Sequence, residues 1–233
     1  MSVELSEALR AGELDRELTA LYSTAALERQ RSRYIDAAEA FRSHFGERES
    51  LLLFSAPGRT ELGGNHTDHN HGRVLAAGVD LDVIAVVSPT DRDVIRIQSA
   101  GYPLDEVTLD DLSVREADYN RSAALIRGTA ARFRERGYAV GGFDAYTTSD
   151  VLKGSGLSSS AAFEVLIGTI LNHLYNNAAI SAVEIAQIAQ YAENVHFGKP
   201  SGLMDQMASS VGNIITIAVS YTHLRAHETS LHL

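Results

Sequence analysis

Across residues 13–45 the apolar positions Leu18, Leu21, Leu27, Tyr34, Ala38 and Phe41 recur three or four apart among charged residues, which predicts surface helices that each bury one face. The apolar run 51–54 ends at Ala56-Pro57-Gly58 and predicts a strand running into a turn. Beyond a polar, histidine-rich loop, residues 76–88 and 93–98 predict two strands joined by a Pro-Thr-Asp turn. Residues 120–136 predict a helix and 143–147 a strand. The most regular helix is expected over 158–175, where a glycine-rich entry and three serines precede Ala161, Ala162, Val165, Leu166 and Ile170. Ser181 and Glu184 form a capping-box signature for a further helix through about Val195, and 213–217 predicts a strand. There is no internal repeat and no low-complexity linker. This order suits an α+β fold, with helices packed on a mixed sheet, better than regular β-α-β alternation.

Composition narrows the function classes. With 233 residues, 45% of them hydrophobic, the chain can bury a core. A net charge of −10 argues against a nucleic-acid partner, which needs clustered Lys and Arg to meet phosphates. The absence of cysteine removes disulfides, thiolate nucleophiles and Cys-based zinc sites, in keeping with a cytoplasmic protein. The acidic N-terminus does not resemble a signal peptide, and no stretch approaches the ~20 apolar residues of a membrane helix, so no membrane partner is expected.

Three segments carry candidate chemistry. Lys153-Gly154-Ser155-Gly156-Leu157-Ser158-Ser159-Ser160 places small residues just before a strong helix. Backbone N–H groups of such a turn and the positive end of the helix together cradle anions, phosphate above all, and the hydroxyls can ligate Mg2+. Read alone, it is equally a Gly/Ser turn with capping serines. It is neither a Walker A loop nor a dinucleotide fingerprint. The second segment, Ala56-Pro57-Gly58-Arg59 with Gly63-Gly64-Asn65-His66-Thr67-Asp68-His69-Asn70-His71, offers the many donors and acceptors that a polyhydroxylated sugar requires. Metal binding by His66, Asp68, His69 and His71 is the competing reading, as is a solvated loop. The third contains Glu193 and Gly198-Lys199-Pro200-Ser201-Gly202-Leu203-Met204-Asp205-Gln206, in which a Pro/Gly turn precedes Asp205 in an apolar neighbourhood.

Together, in this order and over residues 51–217, the segments resemble the GHMP kinase superfamily, and most closely its galactokinase branch. The resemblance implies the N-terminal domain of these kinases, like the second domain of ribosomal protein S5. It implies transfer of the γ-phosphoryl of ATP to the anomeric hydroxyl of galactose. Asp205 matches the aspartate that takes or orients the proton of that hydroxyl, and Arg59 the arginine beside it. Ser160 and Glu193 match the Mg2+ ligands. Lys153, Gly154, Ser155, Gly156, Leu157, Ser158 and Ser159 fall where the ATP phosphates are wrapped. Asn65, His66, Asp68 and Gly202 fall where the family contacts sugar.

Asn65 stands where the branch has an acid and His69 where it has a tyrosine; Glu61 replaces an asparagine and Leu152 a proline. Asn65 lacks the charge that strengthens a bond to a sugar hydroxyl. The alternatives are therefore another sugar 1-kinase, such as one acting on N-acetylgalactosamine, or a sugar- and ATP-binding regulator without turnover. Residues 218–233 resemble the translation of a sequencing-library adapter and are expected to form a non-biological tail behind a kinase domain over 1–217. The C-terminal domain of the family is expected to be missing, leaving a fragment of weak or no activity.

Overall fold

The computed structural model describes residues 5–65, 67–70, 72–152, 154–219 and 224–228. The α+β expectation holds. Strands β1 (Leu52–Gly63), β2 (Arg73–Pro89), β3 (Val94–Ser99), β4 (Leu104–Thr108), β5 (Phe143–Ser149), β6 (Ile214–Val219) and β7 (Leu224–Glu228) form one mixed sheet in the order β4-β3-β5-β2-β6-β7. The long β2 takes β1 along one side and shares its other side between β5 and β6. Among the described strands only the β3–β5 pairing is parallel.

Two helical groups cover the sheet. Helices α1 (Leu5–Arg10), α2 (Asp15–Tyr22) and α3 (Leu27–Phe45) pack Leu9, Leu18, Tyr22, Tyr34, Ala38 and Phe41 against Ile84 and Val86 of β2. On the other side, α4 (Ser122–Glu135), α5 (Ser159–Tyr175) and α6 (Ala182–Tyr191) bury their apolar stripes against Val83, Ala85, Ile95, Ile97 and Ala145. A third cluster joins α7 (Met204–Val211) to Val74, Ala76, Ile215 and Ile217. A buried carboxylate fixes α2 and α3 to the sheet. Asp82 of β2 accepts hydrogen bonds from Tyr22 and Ser55, and from Arg33 Nη1 at 2.5 Å. Burial, aided by the nearby Tyr34 and Asp82, pushes the Tyr22 hydroxyl far above its ordinary range, and burial pushes Tyr34 up to about 12 against the lowering effect of its hydrogen bond with Tyr22. Both phenols therefore stay neutral donors.

Several expectations need correction. The strand at 51–54 does not end in a turn at Ala56-Pro57-Gly58: β1 continues to Gly63, and the ladder shifts register between Pro57 and Arg59. Proline is tolerated because β1 has a neighbour on one side only, where a missing N–H costs little. Leu21, expected on the buried face, is 59% exposed. The helix past Ser181 changes at Ala192 into a wider π-type turn, Ala192–Phe197. Strand β4 and helix α7 had no legible pattern because both are short. Ser181 does cap α6, its side chain accepting from Glu184 N at 3.3 Å. Strand β6 runs on through Ala218, which pairs with β2 and β7, to Val219, which pairs with β7.

Phe41 is fully buried, so Phe41→Ala should destabilise the chain by about 3–5 kcal/mol, whereas Leu21→Ala should stay within about 0.5 kcal/mol. Urea unfolding followed by circular dichroism measures both; equal losses would contradict this packing.

Candidate active site

The register shift at Gly58 sets the local geometry. A Cβ at Gly58 would lie 3.0 Å from the Leu157 carbonyl oxygen, so the glycine lets β1 and the loop before α5 approach closely. There the Arg59 amide donates to Leu157 O at 3.1 Å. The Arg59 side chain, almost fully buried, donates through Nη1 to Gly156 O at 2.6 Å and through Nε to Asp205 Oδ1 at 2.6 Å. The second oxygen of Asp205 accepts from the Ser158 hydroxyl. One carboxylate is thus held by β1 and by the loop at the head of α5, and lies in the first turn of α7, where the helix dipole favours an anion.

Ser158 has φ +56°, a left-handed conformation costing a residue with a Cβ about 1–3 kcal/mol. Its hydroxyl serves Asp205 instead of capping α5, so the first amides of that helix have no side-chain cap. Gly154 and Gly156 also have positive φ, and a Cβ on either would meet nothing within 4 Å, so conformation rather than space calls for glycine there. The loop faces open space, as a cradle for a large anion would. Ser155, though exposed, is tied into a local turn: its N–H and hydroxyl both donate to Leu152 O. Lys153 lies outside the described residues.

The sugar-loop candidates divide. Asp68 is buried, and its Oδ2 accepts from Met204 N at 2.9 Å, capping the start of α7 and locking the loop to the helix that carries Asp205. Gly202 packs so closely that a Cβ there would run into the Asp68 carboxylate. Asn65 is exposed and left-handed, at φ +53°. His66 and His71 lie outside the described residues, as does the side chain of His69. Among the described residues no group of three or more His, Asp or Glu side chains converges as a metal site.

The residues matched to Mg2+ come together. The Ser160 hydroxyl, near the start of α5, donates to Glu193 Oε1 at 3.1 Å, and Lys199 Nζ donates to the same oxygen at 2.9 Å. Glu193 is buried in the π-type turn, contrary to the usual solvated acid. A hydroxyl and a carboxylate are the hard oxygen donors Mg2+ takes, and a buried carboxylate already balanced by a cation fits such an ion. Sequence reasoning missed Gln206 and Glu164 behind them. Gln206 Nε2 donates to Glu193 Oε2 at 2.8 Å and to Glu164 Oε2 at 3.2 Å. Full burial, and then the field of Glu193, push Glu164 well above the usual carboxylate range, towards its neutral form. The signal for it was an acid within an otherwise apolar helical stripe, at a position that must face the core.

Two family models match the chain: the galactokinase galactose-binding signature over residues 39–89 and the GHMP kinase N-terminal domain over residues 124–213. A galactokinase of Bacillus subtilis is 38% identical over 176 residues, covering 74% of this chain and 44% of that protein. The Lactococcus lactis galactokinase complexed with galactose superposes with a TM-score of 0.74 at 27% identity, over 83% of this chain and 51% of that one. The mevalonate kinase of Methanococcus jannaschii shares the fold, with a TM-score of 0.64 at 16% identity over 78% of this chain and 57% of that one. The chain therefore spans about half the length of the galactokinases it matches.

Because Glu164 is raised above its ordinary 4.5, the stability it allows is complete below that pH and is lost as pH rises towards the raised value. Glu164→Gln, neutral throughout, should melt progressively higher than the wild type between pH 5 and pH 8, the gap exceeding about 2 °C by pH 8. Parallel melting curves would contradict a neutral Glu164.

Proposed function

We propose, from the premise that this chain belongs to the galactokinase branch of the GHMP kinases, that it supplies the reaction centre for ATP-dependent phosphorylation of galactose at the anomeric hydroxyl. The observation that carries this reading is the Asp205 carboxylate, gripped by Arg59 and Ser158 where the glycine loop, β1 and α7 meet. A sugar hydroxyl brought to Asp205 can pass its proton to the carboxylate as its oxygen forms the new P–O bond to the γ-phosphorus, while the bond to the bridging oxygen breaks and ADP leaves. Arg59 keeps Asp205 aimed, and its positive charge offsets the negative charge moving through the site. The uncapped amides at the head of α5 and the open loop at Gly154 and Gly156 receive the phosphates. Ser160 and Glu193 would hold Mg2+, which neutralises charge across the β- and γ-phosphates when bound.

Galactose is supported by the galactose-binding signature over residues 39–89 and by the close seating of Gly202 on Asp68. Asn65, uncharged and exposed, is where an N-acetylated hexosamine would find room, and a hexose panel separates the two. A cytoplasmic setting is part of the same proposal. So is feeble activity of these 233 residues alone, since Asp205 retains 20% side-chain exposure and a wet site weakens its electrostatics.

Extending the chain with the C-terminal half of the Bacillus subtilis relative should give galactose-dependent ADP release at least about 10²-fold faster than the chain alone. Asp205→Asn in the extended form should remove at least about 10²-fold of kcat. Full turnover by the variant would overturn the assignment of Asp205. Gly202→Val should chiefly raise the KM for sugar, because its side chain meets Asp68; a fall in kcat alone would contradict that placement.

A further inference from the structure

Lys153 and Lys199 are the only lysines in the chain, and among the described residues Lys199 reaches Glu193. Other acids among the described residues, Asp15, Asp82, Asp118 and Asp144 among them, are paired with arginine. The distinction is physical. A guanidinium would spread five donors over the site in a rigid fork, whereas an ammonium is a compact point charge on a flexible stem. Lys199 is attached to Glu193 twice, since its backbone N–H donates to the Glu193 carbonyl at 3.1 Å and its Nζ to Oε1 at 2.9 Å. The turn that carries it starts at Gly198, left-handed at φ +80°, and the lysine side chain is 54% exposed. One end is therefore anchored while the charged end has room to leave.

We infer that Lys199 is the resident counter-ion of the Ser160–Glu193 site, holding the buried carboxylate in place until a divalent cation arriving with nucleotide displaces its ammonium towards solvent. The inference rests on the reading of Ser160 and Glu193 as the Mg2+ ligands. Two facts support displacement over coexistence. The ammonium and the Ser160 hydroxyl converge on one oxygen, so a cation coordinated there would lie within a few ångströms of Nζ and repel it. Glu193 also has little exposure of its own, and Oε2 is taken by Gln206, so no other face of the carboxylate is free. Without Lys199, Glu193 would be a buried charge with no cation beside it among the described residues, an arrangement a protein interior disfavours.

With only two lysines and the N-terminal amine to label, acylation by acetic anhydride at fixed pH, read by peptide mass spectrometry, tests the inference on the unmodified chain. Lys199 should react slowly in the free chain, equally slowly with a non-hydrolysable ATP analogue alone, and at least about fivefold faster once Mn2+ is added with the analogue. Lys199→Met should bind Mn2+ in the presence of the analogue at least about fivefold more tightly, measured by electron paramagnetic resonance of the free ion. Glu193→Gln is the control for the underlying reading. If it leaves Mn2+ binding unchanged, Glu193 is not a ligand and both ideas fall. If it weakens binding but Lys199 stays protected with Mn2+ bound, the counter-ion role alone is overturned. Should Lys199→Met fail to fold, the labelling of the unmodified chain still decides.

Discussion

The Arg59–Asp205 ion pair is the constraint on which the site depends. It joins residues 146 apart in sequence, one on a sheet-edge strand and one in the first turn of a two-turn helix. Everything around it exists to bring these two groups together in the right orientation. Gly58 lets β1 approach the loop, the register shift follows at Arg59, and Asp68 caps the helix that carries Asp205. Ser158 accepts a strained backbone so that its hydroxyl can reach the second oxygen. Strain of this kind persists only where surrounding structure enforces it, and here the enforcing elements are the sheet and two helices.

Behind this pair lies a second layer that sets the electrostatics. Three acids, Glu164, Glu193 and Asp205, come from α5, the π-type turn and α7, and Gln206 ties the first two together through one amide nitrogen. A low-dielectric interior does not accept several uncompensated anions, so each acid has its own resolution. Asp205 is paired with Arg59, Glu193 with Lys199, and burial shifts Glu164 towards its protonated form. The change from an α-helical to a wider turn at Ala192 turns Glu193 inward to meet Ser160, a common use of such turns at functional sites.

Much of this was legible in the sequence, for identifiable reasons. The helices over 120–136 and 158–175 and the strands over 76–88 and 143–147 carry long periodic patterns, and the structure places α4, α5, β2 and β5 there. The structure brings motif residues far apart in sequence into contact: Arg59 with Asp205, Ser160 with Glu193, Asp68 with Gly202. What stayed hidden was set by tertiary contact. Leu21 fits the helical period yet faces solvent because α2 ends one residue later, and β1 runs through Pro57 because its open side tolerates a missing donor. The roles of Lys199 and Gln206 could not be read from spacing, since each is defined by what it meets across the fold.

The most direct test of the account is the identity of the product. ATP and galactose incubated with the chain extended by a relative's C-terminal half, and followed by 31P and 1H nuclear magnetic resonance, should give one sugar phosphate whose phosphorus couples to the anomeric proton. Phosphate on any other carbon, or ATP hydrolysis with no sugar phosphate, would contradict the placement of the anomeric hydroxyl at Asp205.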